Sequence, residues 1–229
     1  MNTSEPLRLN KLIAQRTELS RRAADTAISE HRVRVNGVIA ENGTMVQADD
    51  AVSLDGKPVP NAQPPKTILL NKPRGYVVSR DGQGSKTVYD LLPFELHHLN
   101  PVGRLDKDSS GLLLLTNDGA RTEELTHPRY GKQKVYEVTL DTDLSPLHRQ
   151  MISEFGIQLE DGPSKMHLER MFEGNDKKWR VVLTEGRNRQ IRRTFASIGY
   201  TVTALHRTQF GPYLLPPDLA SGASTVVTN

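Results

Sequence analysis

Leu9, Leu12 and Ile13 recur at the three- and four-residue intervals of a helix. Ser20 then stands where an N-cap belongs, with Arg21 and Arg22 in the first turn and Ala24, Ala27 and Ile28 forming an apolar stripe behind it. Arg21, Arg22 and Asp25 fall on the other side. The period then changes from helical to alternating: Val33 and Val35, a turn at Asn36-Gly37, then Val38 and Ile39. Asn-Gly supplies the positive backbone angles that a tight hairpin needs. Two short helices followed by small strands are expected, forming a first unit over residues 1–57. Four prolines between Lys57 and Pro65 block regular structure, so 58–65 reads as a linker.

A second unit, 66–229, mixes periods without strict alternation. Strands are expected over 68–70, 76–78, 112–115, 134–140 and 179–183. Helices are expected over 120–126, 145–154 and 188–198. The fold class is therefore α+β, with a small helical and β unit followed by a larger one built on a mixed, mainly antiparallel sheet.

Composition narrows the chemistry. With no cysteine, thiolate metal sites, iron–sulfur clusters, disulfides and thiol nucleophiles are excluded. The opening MNTSEPLRLN lacks the apolar core of a signal peptide, and the run Leu112 to Leu115 is far too short for a membrane span. A cytoplasmic protein with no membrane partner is expected. Net charge is only +3, but its distribution is uneven. Residues 8–34 hold seven Lys/Arg (Arg8, Lys11, Arg16, Arg21, Arg22, Arg32, Arg34) against three acids. A second knot is Arg187, Arg189, Arg192 and Arg193. The planar guanidinium suits phosphate oxygens, although a solvated face carries such clusters equally well.

The densest motif runs from Gly103 to Gly119: a loop rich in Asp, Ser and Gly leads straight into four leucines. A loop mounted on a buried strand is a rigid platform for catalytic groups. Asp106 and Asp108 also suit a turn that satisfies backbone amides, a hydrolytic acid–base pair or a divalent cation. No further acid or histidine stands at ligand spacing, so no metal is expected. The stretch from Glu185 to Arg193 follows a strand and opens a helix, an arrangement that favours an anion. On that helix Arg189, Arg192 and Arg193 would share a face. In the 134–140 strand Tyr136 shares its face with Val138 and Leu140, as an ordinary core tyrosine would.

These strings carry a family resemblance. Ser20-Arg21-Arg22-Ala23-Ala24-Asp25 and Val33-Arg34-Val35-Asn36-Gly37 resemble the small RNA-binding domain named after ribosomal protein S4. Gly103-Arg104-Leu105-Asp106, Ser109 and Gly111-Leu112-Leu113 resemble the signature of the pseudouridine synthases, in the ribosomal RNA branch typified by RsuA. Leu70-Asn71-Lys72-Pro73-Arg74-Gly75, Thr126-His127-Pro128-Arg129-Tyr130 and Asn188-Arg189-Gln190-Ile191-Arg192-Arg193 stand in that family's order. The large-subunit members are slightly closer, at Asp106-Lys107-Asp108 and Asn188-Arg189-Gln190. One departure is Thr194, where many relatives carry methionine.

The resemblance implies isomerisation of uridine to pseudouridine in ribosomal RNA or a ribosome-assembly intermediate, by a monomer, with no cofactor or metal. Asp106 is the implied catalytic carboxylate, acting on a flipped-out uridine. Arg192 is the implied partner of Asp106, favouring its ionised form. Tyr136 lies beside the base. Arg104, Leu105, Arg189, Gln190 and Ile191 are the implied substrate contacts. RNA contacts are expected from Arg8, Lys11, Arg21, Arg22, Arg32, Arg34, Arg187 and Arg193. A rival reading is a non-catalytic RNA-binding or assembly protein, which would not need Asp106, Tyr136 and Arg192 together.

Overall fold

The computed structural model describes residues 5–47 and 49–227. The chain forms two compact units, Met1–Pro65 and Lys66–Asn229. The elements of the first are β1 (Leu7–Arg8), α1 (Leu9–Arg16), α2 (Arg21–Ser29), β2 (Val33–Val35), β3 (Val38–Ile39), β4 (Met45–Val46), β5 (Val52–Leu54) and β6 (Lys57–Pro58). The Ser20 side chain accepts the Ala23 amide and so starts α2 as an N-cap should. Leu9, Leu12, Ile13, Ala24, Ala27, Ile28 and Val33 are buried together, so the two helical stripes close on one another over the sheet β3-β2-β5-β6. Pro58 belongs to β6, and the Val59 amide still donates to Val52, so ordered pairing runs two residues past the expected boundary at 57.

The second unit contains β7 (Thr67–Lys72), β8 (Asn100–Val102), β9 (Ser110–Thr116), α3 (Gly119–Thr126), β10 (Lys134–Leu140), α4 (Pro146–Gln150), β11 (Ile157–Leu159), β12 (Gly162–Ser164), β13 (His167–Phe172), β14 (Asn175–Leu183), α5 (Gln190–Ala196), β15 (Val202–Phe210), β16 (Tyr213–Leu214) and β17 (Ser224–Val226). A nine-stranded sheet has the order β13-β14-β10-β15-β9-β7-β17, with β16 on β15 and β8 on β9. Among the described residues only the β15–β9 pairing of this sheet is parallel, so the sheet is mixed and mainly antiparallel, as expected. Leu113 and Leu115 pack into the larger core with Trp179 and Phe195, while Leu112 and Leu114 pack on the other face with Phe210. A strand buried on both faces reads as a continuous apolar run, hence the four leucines.

Three expectations are corrected. Residues 76–78 form no strand; Val77 makes one isolated bridge to Thr87. Pro73 and Gly75, the latter at φ 93°, turn the chain away from the sheet before pairing can continue. The 145–154 helix is α only to Gln150 and continues as a π-helical turn, Met151–Phe155. The last helix starts at Gln190 instead of 188, because Arg189 has left-handed backbone at φ 45°.

Candidate active site

Asp106 and Asp108 lie on the loop between β8 and β9. Each carbonyl of this loop from Asp106 to Ser109 has a donor. Lys72 Nζ donates to the oxygens of Asp106 and Ser109, at 3.0 and 2.7 Å, and to Pro73. The Gly75 amide donates to the Lys107 oxygen at 2.7 Å. Arg192 Nη2 donates to the Asp108 oxygen at 3.0 Å. The loop is therefore gripped from β7, from the turn after it and from α5, and its two carboxylates are left to face outward. Lys72 is completely buried. Burial pulls its ammonium down to about 8, against the opposing attraction of Asp106 and Asp108.

The two carboxylates and two guanidinium groups form a compact cluster. Arg189 Nη1 lies 3.6 Å from Asp106 Oδ2 and 3.2 Å from Asp108 Oδ1. Arg192 Nε lies 3.3 Å from Asp108 Oδ2, and Arg192 Nη1 donates to the Val202 carbonyl. The guanidinium within ion-pair distance of Asp106 is thus that of Arg189. The expected Asp106–Arg192 pair is replaced by Asp108–Arg192, because Arg192 is drawn behind the loop to its backbone. Arg189 escapes the helix face by its left-handed backbone and reaches over both acids. Burial raises the Asp108 carboxyl, but the hydrogen bonds from Arg189 and the charges of Arg192 and Arg189 outweigh it, leaving it below its ordinary value. Burial lowers Arg192 despite Asp108.

Asp106 opens onto a cleft of about 440 Å³, a size suited to a small ligand. Leu105, Tyr136, Ile191 and Leu205 give it an apolar wall, all of them less than a tenth exposed. Arg104 lies exposed at its edge. The cleft therefore offers an aliphatic and aromatic surface for a planar base beside one carboxylate and several cations. The structure brings Arg104, Leu105, Asp106, Tyr136, Arg189 and Ile191 together as the sequence anticipated.

Other anticipated residues have internal work. The two amide hydrogens of Gln190 go to Ser164 Oγ and Glu185 Oε1, and its oxygen accepts the Arg187 amide. That leaves Gln190 no donor for a substrate. Arg187 holds Asp161 and the carbonyls of Gly162 and Pro163, and Arg193 holds Asp161 as well. These two arginines clamp the β11–β12 hairpin to α5, and Arg187 also lines the cleft. Thr194, the departure from the family pattern, is buried; its hydroxyl donates to the Gln190 carbonyl and is hydrogen-bonded to the Ser164 hydroxyl. In the first unit Arg32 is paired with Asp55 and Glu30, and Arg34 donates to the Gly37 carbonyl. Arg8, Arg21 and Arg22 are exposed and Lys11 is partly so; among the described residues none of the four has a carboxylate within 4 Å. Among the described residues no group of three His, Asp or Glu could hold a metal, and no helix is long and apolar enough to cross a membrane.

Lys72, Lys134 and Arg207 were not anticipated. A signal existed in the strand period: Lys72 shares its face with Ile68 and Leu70, and Lys134 shares its face with Tyr136.

Comparison with known proteins identifies the family. Residues 7–59 match the S4 domain, and residues 66–197 match the family described as RNA pseudouridylate synthase. The chain is 38% identical over 229 residues to "Ribosomal large subunit pseudouridine synthase B" of Xylella fastidiosa, covering 95% of this chain and 48% of the relative. It thus spans about half the length of that curated relative. It is 38% identical over 209 residues to the protein of the same name from Bacillus subtilis, covering 89% of this chain and 85% of that one. It is 36% identical over 220 residues to "Ribosomal small subunit pseudouridine synthase A" of Salmonella typhimurium, covering 94% of each. A solved structure, "Crystal structure of pseudouridylate synthase", superposes with a TM-score of 0.71 at 31% identity, over 97% of this chain and 96% of that one. On these matches and on the loop that carries Asp106, the chain belongs to the RNA pseudouridylate synthase family, with an N-terminal S4 domain.

Proposed function

We propose that the protein isomerises uridine to pseudouridine in ribosomal RNA, in the cytoplasm and without cofactor or metal. The observation that carries this reading is Asp106 itself. It is a carboxylate on a fully gripped loop, 3.6 Å from Arg189, at the edge of a cleft walled by Tyr136, Ile191 and Leu205. The reaction breaks the bond from ribose C1′ to N1 of the base and forms one from C1′ to C5. N1 gains a proton and C5 loses one, so atoms and electrons balance within the nucleotide. Asp106 acts at the ribose, where an anionic oxygen attacks C1′ or takes the 2′ proton. Tyr136 stacks against the detached base and is placed to take the C5 proton. The uridine leaves its stack to reach the cleft, and Arg104 at the edge occupies the gap. Large-subunit RNA is the favoured substrate, since two of the three relatives above bear that name.

The test is pseudouridine mapping of total RNA from cells with and without the gene, together with cells that carry only Asp106→Asn. One ribosomal RNA site is expected to vanish in both altered strains while the variant still binds RNA. Retention of every site in the deletion strain would leave a non-catalytic RNA-binding protein.

A further inference from the structure

Arg207 lies mid-strand in β15 and is 2% exposed. A bulge around Thr208 sets Arg207 opposite Tyr136 and Gln209 opposite Val135, which re-aims the side chain. Arg207 Nε donates to the Leu112 carbonyl at 2.8 Å, and its guanidinium carbon lies 4.8 Å from the centre of the Phe210 ring. Arg207 Nη2 is buried with no hydrogen-bond partner. Lys134, the cross-strand partner of Phe210, places Nζ 5.2 Å from the same ring centre. Its one hydrogen bond is long, 3.4 Å, to the Glu185 carbonyl. All three residues line the cleft that holds Asp106.

Two cations therefore share one aromatic ring at the wall of the cleft. Burial and the neighbouring Arg207 both lower the Lys134 ammonium. The nearest counter-charge, the Glu185 carboxylate, is already bonded by Gln190 and Arg187. Like charges held together without a carboxylate between them cost stability in the free protein, and an anion between them removes that cost. The unpartnered Arg207 Nη2 supplies a donor for it.

We propose that Arg207 and Lys134 form an anion subsite that takes a backbone phosphodiester of the nucleotide whose base enters the cleft. The inference rests on the functional reading above for its ligand. The phosphate is held on the β10–β15 side while the ribose meets Asp106, so one contact orients the sugar without touching the reacting bond.

The test is equilibrium binding of uridine, uridine 3′-monophosphate and uridine 5′-monophosphate to the full chain, followed by ligand-observed NMR. One monophosphate is expected to bind at least about tenfold more tightly than uridine, and Lys134→Met is expected to abolish that advantage. Arg207→Gln should do the same and Arg207→Lys should retain part of it. If the Arg207 variants fail to fold, Lys134→Met decides, since it loses only the 3.4 Å bond and the cation contact with the Phe210 ring. Equal binding of all three ligands to the natural protein, or an advantage untouched in a folded Lys134→Met, overturns the subsite. Loss of the advantage is independent of turnover. A protein that discriminates the monophosphate but forms no pseudouridine sinks the catalytic reading alone, and one that turns over without discriminating sinks the subsite alone.

Discussion

Lys72→Met is the sharpest probe of how the site is built. Methionine keeps most of the buried volume and removes the ammonium. Three carbonyl oxygens, of Pro73, Asp106 and Ser109, lose a donor at 2.7 to 3.1 Å. Hydrogen bonds from a charged group contribute about 1.5–3 kcal/mol each, so roughly 5–9 kcal/mol is at stake. Against this stands the cost of burying the charge, which the fall from 10.5 to about 8 sets at roughly 3 kcal/mol. The Ser109 amide continues to serve the Asp106 oxygen and recovers a part. A net loss of about 3 kcal/mol follows, which lowers the Tm of the second unit by roughly 6–12 °C. The larger effect is on rate. Asp106 and Ser109 share this one anchor, and a misplacement near 1 Å costs about 100-fold. Circular dichroism melts report the first quantity. Single-turnover pseudouridine formation at saturating enzyme reports the second, with the exposed neighbour Lys107→Met as control. A Lys72→Met protein with Tm within about 2 °C of the natural chain and a rate within about threefold would refute the account of the loop as gripped by Lys72.

The same lysine predicts a pH signature. Below about 8 it is charged in both folded and unfolded chains, and the burial cost is fully present. Between about 8 and 10.5 the folded chain has lost the proton and the unfolded chain keeps it, so the Lys72 contribution to stability rises with pH. The natural protein should therefore lose less stability than Lys72→Met across that window in urea titrations, and parallel curves would count against it. Gly111→Ala should be severe: its Cβ would stand 2.3 Å from the Arg207 carbonyl, at φ 102°, so a loss of at least about 3 kcal/mol is expected by thermal melt. Near-normal stability there would mean β9 and β15 are not so closely paired. Removing residues 1–57 should weaken RNA binding and flatten its salt dependence by roughly 3–4 in log–log slope, through loss of Arg8, Lys11, Arg21 and Arg22. An unchanged slope would place the phosphate contacts elsewhere.

Where burial and period agree, the sequence was legible. The stripes of α1 and α2, the Ser20 cap, the four leucines of β9 and the strand holding Tyr136 all follow from apolar spacing. The clearest omission is β15, a nine-residue strand at the middle of the sheet. Its sequence, Val-Thr-Ala-Leu-His-Arg-Thr-Gln-Phe, hides the alternation because the buried face itself carries Arg207. A strand that commits a buried position to a cation loses the pattern by which strands are recognised. The arrangement of the three arginines is hidden for a related reason. Spacing on a helix put Arg189, Arg192 and Arg193 on one face, but the left-handed Arg189 precedes the helix, and Asp161, remote in sequence, draws Arg193 away.

The two buried cations that lie outside the expected site have one property in common. Lys72 and Arg207 are charged, almost wholly buried, and bonded to main-chain carbonyls instead of carboxylates. Carbonyl partners neutralise nothing, so each of these groups keeps its positive field inside the protein. Asp106 and Asp108 therefore face cations on two sides: Arg189 and Arg192 from α5, and Lys72 from beneath the loop. The Asp108 carboxylate, lying within reach of both arginines, takes up much of that charge. This leaves Asp106 with the single, longer contact to Arg189 and room toward the cleft. Had Asp106 been the better-paired acid, its oxygens would be occupied and unable to approach a ribose. Two carboxylates two residues apart thus divide the surrounding charge, Asp108 absorbing the arginines and Asp106 staying open to the cleft, which is the accessibility that the role proposed for Asp106 requires.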